Sequence, residues 1–126
     1  MSVAYVDTSC LVAIAFGERG ATALARKLGA FDELVSSNLL EAELRSAFRR
    51  ERVEFDERIL ATLSWLISDR PLTGEIEQVL DAGYVRGADC WHLASALYLS
   101  PDPASISFLT LDEPQKKVAR ALGFTV

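Results

Sequence analysis

Short apolar segments rich in β-forming residues recur along the chain, separated by longer segments with helical periodicity. Residues 3–6, VAYV, and 33–37, ELVSS, have the length and composition of buried strands. ISFLTL at 106–111 and FTV at 124–126 complete the set of predicted strands. Because helical patterns lie between them, the strands predict crossover connections and a mainly parallel sheet covered on both faces.

The helical segments show apolar residues at a spacing of three and four. In the first of them Leu40, Leu44, Ala47 and Phe48 form one face of a 3.6-residue repeat. Later segments carry start and stop signals such as an early Pro and a terminal Gly. The predicted helices are residues 38–51, 57–67, 73–83, 89–99 and 114–123. The fold class is therefore α/β and helix-rich.

Length and composition indicate one domain over residues 1–126, since a chain of this size with half its residues apolar can bury a core. No segment approaches the roughly 20 uninterrupted apolar residues of a membrane span, and the N-terminus lacks a secretory signal. We therefore predict a cytoplasmic protein without membrane contact. Cys10 and Cys90 belong to no CxxC or Cys/His cluster, which predicts reduced, buried side chains.

The net charge of −5, from 18 acidic and 13 basic residues, argues against binding nucleic acid through a uniformly basic face. It is compatible with a local basic groove or with a metal site.

Two aspartates follow predicted strands. Asp7 comes directly after the first strand and before a helical segment, and Asp112 follows ISFLTL. The carboxyl ends of parallel strands share one edge of the sheet, where ligands gather. Both residues also suit helix capping, and Gln115 would complete a capping box with Asp112. Both explanations stay open at this point.

Two further acids are associated with helices. Glu43 lies next to the apolar stripe of helix 38–51, where a carboxylate is costly unless something pairs with it. Asp89 precedes CWHLASAL and shares a face with apolar residues. It is therefore either the helix cap or an inward-pointing acid of the first turn.

Together these four acids could converge above the sheet. Carboxylates that close repel one another unless a divalent cation neutralises them, and oxygen ligands suit Mg²⁺ or Mn²⁺. The one histidine, His92, lies within an apolar helix, where we predict a hydrogen-bonded structural role. A metal-activated water is then the available nucleophile, and phosphodiester hydrolysis fits this set of residues best.

Four segments of the chain resemble the PIN domain, and specifically the VapC toxins of bacterial toxin–antitoxin pairs. They are YVDTSCLVAI, AELRSAF, RGADCWHLASAL and FLTLDEPQKKVARALGF, in the order of the family. The resemblance implies a small three-layer α/β/α sandwich with a central parallel sheet, and metal-dependent endoribonuclease activity with Mg²⁺ or Mn²⁺. It assigns the catalytic and metal-binding roles to Asp7, Glu43, Asp89 and Asp112.

The resemblance also implies that Thr8 or Ser9, together with Thr110, hydrogen-bond the metal's ligands or waters. The alternative is local backbone bonding in a strand-to-helix turn.

Two positions depart from the family. Pro114 stands where a further acid is common, which leaves a second metal open, and Trp91 replaces a smaller residue, which predicts a place in the core or at a subunit interface.

The partners that the resemblance implies are RNA, a second copy of the chain, and an antitoxin that blocks the acidic pocket with a basic residue. Phosphate contacts are predicted at Arg86, Lys116, Lys117 and Arg120, against the alternative of solvated helix faces. The arginines predicted to face solvent or the antitoxin are Arg45, Arg49, Arg50 and Arg52.

Three other functions are compatible with parts of the pattern. A haloacid-dehalogenase-like hydrolase would use Asp7 as nucleophile, but it usually has a second aspartate where this chain has Ser9. A phospho-receiver module would need a lysine at the strand end before Asp112, where none occurs. The third possible function is that of a binding protein with the same fold, whose acids hold a cation without catalysing a reaction.

Overall fold

The computed structural model of the protein describes every residue, Met1–Val126, as a four-stranded sheet with helices on both faces. All three strand pairings are parallel, and the spatial order is β3-β2-β1-β4. The strands are Val3–Val6 (β1), Glu33–Ser37 (β2), Leu63–Leu66 (β3) and Ser107–Leu109 (β4). The predicted parallel α/β architecture is confirmed.

Six α-helices surround the sheet. They are Thr8–Ala15 (α1), Ala21–Gly29 (α2), Leu39–Arg50 (α3), Thr73–Ala82 (α4), Gly87–Leu99 (α5) and Glu113–Leu122 (α6). The helices predicted over 38–51, 73–83, 89–99 and 114–123 are confirmed to within two residues at each end. Helix α2 has no counterpart in the prediction, and Leu28 is its one buried residue. No helix has the length and apolar character needed to cross a bilayer.

The helix predicted over 57–67 is wrong. A 3₁₀ helix spans Glu57–Thr62, and the chain then continues as the edge strand β3. Leu63 packs in one apolar core and Leu66 against the other, on opposite faces of the sheet. Residues three apart share a face in a helix but lie on opposite faces of a strand, so the helical spacing of these leucines was coincidental. Pairing with the free edge of β2 decided the outcome.

The C-terminal strand predicted over 124–126 is reduced to one parallel bridge between Thr125 and Ser107. The backbone N–H of Phe108 donates to the carbonyl of Thr125 at 2.8 Å, and Phe124 is buried. The terminal segment thus anchors to β4 without forming a regular strand.

Two apolar cores lie on the two faces of the sheet. Alternation along β1 places Tyr5 in the core covered by α4, α5 and α6, and Ala4 and Val6 in the core covered by α1, α2 and α3. We call these the α4–α6 core and the α1–α3 core. They give the chain the three-layer arrangement that the resemblance implied.

The sequence also predicted the places of the two cysteines and of Trp91. Cys10 and Cys90 are buried and unpaired, as predicted. Burial, together with the charge of Asp7, raises the pKa of the Cys10 thiol to about 12. Trp91 is partly buried against the α4–α6 core.

The strand order reverses beside β1. The chain moves from β1 outward to β2 and β3, then returns to place β4 on the other side of β1. In parallel α/β sheets a crevice forms at such a reversal, beyond the carboxyl ends of the two strands. Here that crevice lies where β1 ends before Asp7 and where β4 ends before Thr110.

Candidate active site

One acidic pocket of about 530 Å³ lies at the strand reversal. The four acids singled out from the sequence all line it, although they come from four separate parts of the chain. Glu18, which no sequence pattern marked, joins them, and Arg50 and Arg86 supply the positive charge. The structure therefore brings the predicted acids to one place, while their chemical role stays a prediction.

Asp7 both caps α1 and faces the pocket. Its Oδ2 accepts a hydrogen bond from the backbone N–H of Ser9 at 3.0 Å, which is the capping interaction. Its Oδ1 accepts from the side-chain amide of Gln115 at 3.1 Å, and the hydroxyl of Thr110 lies 3.4 Å from Oδ2. Asp7 is 5 % exposed and firmly held. It therefore caps the helix and also lines the pocket, so both explanations offered by the sequence apply.

Asp112 caps α6, and its Oδ1 accepts from the backbone N–H of Gln115 at 2.8 Å. The predicted capping box does not close, because the Gln115 side chain turns inward. It accepts from the Thr110 hydroxyl at 2.6 Å and donates to Asp7 and to the carbonyl of Asp89. Gln115 is thus a fully buried bridge between three parts of the site, a role that sequence reasoning missed.

Asp89 is the third residue of α5 and not its cap, which resolves the alternative left open by the sequence. Burial raises the pKa of this carboxyl, and the charges of Asp7 and Asp112 raise it further. Arg86 opposes the shift from 3.5 Å away. The pocket therefore holds like charges that repel one another across a short distance.

Glu43 projects from α3 and is held by two donors. The hydroxyl of Thr8 donates to Oε1 at 2.8 Å, and Nε2 of His92 lies 2.7 Å from the same oxygen. Burial by itself would raise the pKa of Glu43, but the hydrogen bonds from His92 and Thr8 outweigh it and hold the pKa below its ordinary value. Glu43 is consequently a carboxylate at neutral pH.

His92 and Tyr5 form a buried relay behind Glu43. Nδ1 of His92 lies 2.7 Å from the Tyr5 hydroxyl, which accepts from the backbone N–H of Ser37 at 3.1 Å. A carboxylate only accepts, so the proton between His92 and Glu43 lies on Nε2, and in a neutral imidazole Nδ1 then accepts from the Tyr5 hydroxyl. The predicted buried, hydrogen-bonded histidine is confirmed, but its partner is an acid of the pocket. Nothing in the sequence pairs these positions.

The hydroxyl residues predicted to assist the site separate into two groups. Thr8 and Thr110 contact the acids directly, through Glu43 and Asp7 respectively. Ser9 instead accepts from the backbone N–H of Leu111 at 3.1 Å and lies 3.3 Å from the Thr110 hydroxyl. Ser9 therefore links the ends of β1 and β4 through a backbone hydrogen bond. This is the alternative role that the sequence left open for it.

The oxygen-rich lining suits a hard divalent cation. Glu43, Asp89 and Asp112 each keep at least one carboxylate oxygen free of protein hydrogen bonds. Their mutual repulsion is the electrostatic condition that such an ion relieves. No three metal-ligating side chains lie close enough to surround one ion as they stand.

A family model of the PIN domain matches residues 4–121, nearly the whole chain. The chain belongs to the PIN domain family. No curated protein and no solved structure matches it. PIN domains are generally nucleases and commonly use divalent metal ions. The dehalogenase and phospho-receiver alternatives are excluded by this membership.

The basic residues of this PIN domain are distributed unevenly around the pocket. Arg86 lines it, whereas Lys117 and Arg120 line a neighbouring groove. Lys116 is half-buried and lies 3.7 Å from Glu113. Arg50, predicted to face solvent or an antitoxin, also lines the acidic pocket.

Proposed function

We propose that this PIN domain is a metal-dependent endoribonuclease, the VapC-type toxin of a toxin–antitoxin pair, which hydrolyses RNA phosphodiester bonds with a metal-activated water. The observation that carries the proposal is the convergence of Asp7, Glu43, Asp89 and Asp112 on one pocket at the strand reversal. Family membership supports nuclease chemistry, and the resemblance to VapC toxins supports RNA as the substrate.

The four acids would hold Mg²⁺ or Mn²⁺, with Thr8 donating to Glu43 and Thr110 holding the Gln115 side chain that donates to Asp7. Such an ion, when bound, lowers the pKa of water and stabilises negative charge on a phosphoryl oxygen. The protein supplies the orientation of its ligands. Asp7 is held by Gln115 and Glu43 by His92, so neither carboxylate has to be ordered when the site loads.

The proposed protein partners are an antitoxin and a second copy of the chain. A pocket lined by five acids, on a protein with a net charge of −5, favours a basic residue from a blocking partner. The dimer is proposed from the resemblance to VapC toxins alone.

One observation favours a second candidate, a PIN domain that binds a cation or an antitoxin without turnover. The acids surround the pocket without three of them meeting at one point. If the relay through His92 prevents Glu43 from moving, the site would bind metal weakly.

Cleavage of total cellular RNA by antitoxin-free protein tests the proposal. Reactions contain Mg²⁺, Mn²⁺ or EDTA and use the unmodified chain, Asp7→Asn, Glu43→Gln and the control Glu77→Gln, an exposed acid on α4. We expect discrete products with either metal, none with EDTA, and loss of products in the two pocket variants alone. Uncut RNA under every condition, with folded protein, would favour the silent domain instead.

A further inference from the structure

A second groove, of about 770 Å³, lies beside the acidic pocket. It runs between the segment that links α4 to α5 and the exposed side of α6, and Tyr84, Lys117 and Arg120 line it. Two chain segments continue from it into the pocket, since Arg86 follows Tyr84 by two residues and Asp112 directly precedes Glu113. The groove and the proposed site of cleavage are therefore lined by neighbouring residues of the same two segments.

Tyr84 presents an aromatic ring to solvent from a fixed backbone. Its side chain is 82 % exposed, whereas the next residue, Val85, is 5 % exposed and anchored in the α4–α6 core. On the other side, Gly83 approaches α6 so closely that an added Cβ would lie 2.9 Å from Cγ2 of Val118. The ring is exposed while its supporting segment is packed, which is the arrangement of a rigid stacking platform.

Two cations without partners face the same groove. Lys117 and Arg120 are exposed, lie three residues apart on α6, and form no ion pair. Arg45 and Arg58, by contrast, are held in ion pairs. The one acid of the groove, Glu113, lies 3.7 Å from Lys116. Positive charge is thus available beside the pocket, on a protein whose overall charge is negative.

We propose that this groove binds the single-stranded RNA next to the scissile phosphate, with a base stacked on Tyr84 and phosphates at Lys117 and Arg120. The inference rests on the proposed nuclease function. RNA is favoured over a protein partner because the groove combines an exposed aromatic face with unpaired cations. An acidic pocket repels a polyanion, so a neighbouring source of attraction is what an RNA substrate requires.

Binding of a fluorescein-labelled single-stranded RNA of mixed sequence, measured by anisotropy in EDTA, tests the groove without cleavage. We expect Tyr84→Ala to weaken binding about tenfold and Tyr84→Phe to leave it near the unmodified value, because stacking needs only the ring. Lys117→Gln and Arg120→Gln should each weaken binding and reduce its salt dependence, by about 0.7 in the logarithmic slope per lost phosphate contact. Arg26→Gln, an exposed and unpaired arginine on α2, is the matched control.

Unchanged affinity in Tyr84→Ala and Lys117→Gln would overturn the inference even if the protein cleaves RNA. Groove-dependent binding by a protein that never cleaves would leave the inference standing and overturn the proposed nuclease. Loss of self-association in Tyr84→Ala, with RNA binding intact, would make the surface a protein interface and also overturn the inference.

Discussion

Nε2 of His92 lies 2.7 Å from Oε1 of Glu43, although the two residues belong to different helices and are 49 positions apart in the chain. The histidine is completely buried, and behind it the Tyr5 hydroxyl fixes its second nitrogen. The orientation of a pocket carboxylate is therefore determined by side chains of β1 and α5 that do not reach the pocket surface.

Replacing His92 by Leu should weaken Mn²⁺ binding and RNA cleavage about 10–100-fold, because Glu43 loses the donor that orients it. His92→Gln should recover part of both, since its amide can donate in place of Nε2. Mn²⁺ affinity by electron paramagnetic resonance and cleavage rates are the measurements. Unfolding must be followed in parallel, because leaving Tyr5 without an acceptor costs about 1–3 kcal/mol. Unaltered Mn²⁺ affinity in the folded Leu variant would contradict a positioning role.

Asp89→Asn should stabilise the metal-free protein at neutral pH. Burial and the charges of Asp7 and Asp112 raise the pKa of Asp89 above its ordinary value of 3.8, so the folded state is penalised once this carboxyl ionises. Below pH 3.8 the folded and unfolded states both carry the protonated acid, and the advantage of Asn disappears. Above the folded pKa the advantage is complete.

The expected rise in Tm of Asp89→Asn is a few degrees, because the first turn of α5 favours a negative charge by about 0.3–1 kcal/mol and partly offsets the repulsion. Thermal unfolding in EDTA across the acid range measures it, with the exposed Asp81→Asn as control. Added Mn²⁺ should stabilise the unmodified chain more than Asp89→Asn. A lower Tm of the variant at neutral pH would show that repulsion is not the dominant interaction.

Gln115 offers a sharper test of the buried polar network. Gln115→Leu removes the donor to Asp7 and the acceptor of Thr110, which should cost about 1–3 kcal/mol of unfolding free energy. Gln115→Glu instead places a carboxylate against Asp7 and should cost more, about 3–5 kcal/mol at neutral pH, with partial recovery as the pH falls. Urea unfolding at two pH values distinguishes them. Equal stability of the two variants would mean that the introduced carboxyl stays protonated beside Asp7 and carries no charge.

Two glycines of the α4 region should respond to alanine in opposite directions. A Cβ on Gly83 would lie 2.9 Å from the buried, β-branched Val118, so Gly83→Ala should lose about 1–3 kcal/mol. Gly74 lies within α4 with open space around it, so Gly74→Ala should gain about 0.5–1 kcal/mol. Paired thermal unfolding measures both. A neutral Gly83→Ala would imply that the α4–α5 linker yields easily and that Tyr84 is not rigidly held.

Sequence periodicity identified the helices and strands whose apolar pattern lies within their own residues. Helix α3 has its apolar stripe intact, and β1 is short and apolar, so both were predicted closely. Residues 57–67 carried a helical spacing that the pairing of β3 with β2 overrode. Such an outcome depends on a partner strand elsewhere in the chain, which no local pattern contains.

The acids of the site could be selected because strand ends and core-edge carboxylates are unusual positions for charge. The residues that hold these acids in place could not be selected from the sequence. Gln115 resembled half of a capping box, and His92 resembled an ordinary core residue, yet each contacts an acid that is distant in sequence. Glu18 reaches the pocket only because the fold brings the end of the α1 region there, whereas Arg50 lies seven residues after Glu43 on α3 and shares its face.

The return of the chain to β4, on the far side of β1, has a consequence for biosynthesis. Asp112 and Gln115 are synthesised after the other residues of the pocket, and without β4 the edge of β1 that it occupies is bare. An unfinished chain that ends before Ser107 lacks both an acid of the pocket and the amide that holds Asp7. Synthesis of this protein therefore leaves the pocket incomplete until the segment that carries Asp112 and Gln115 has been made, and any nuclease activity has to follow that step.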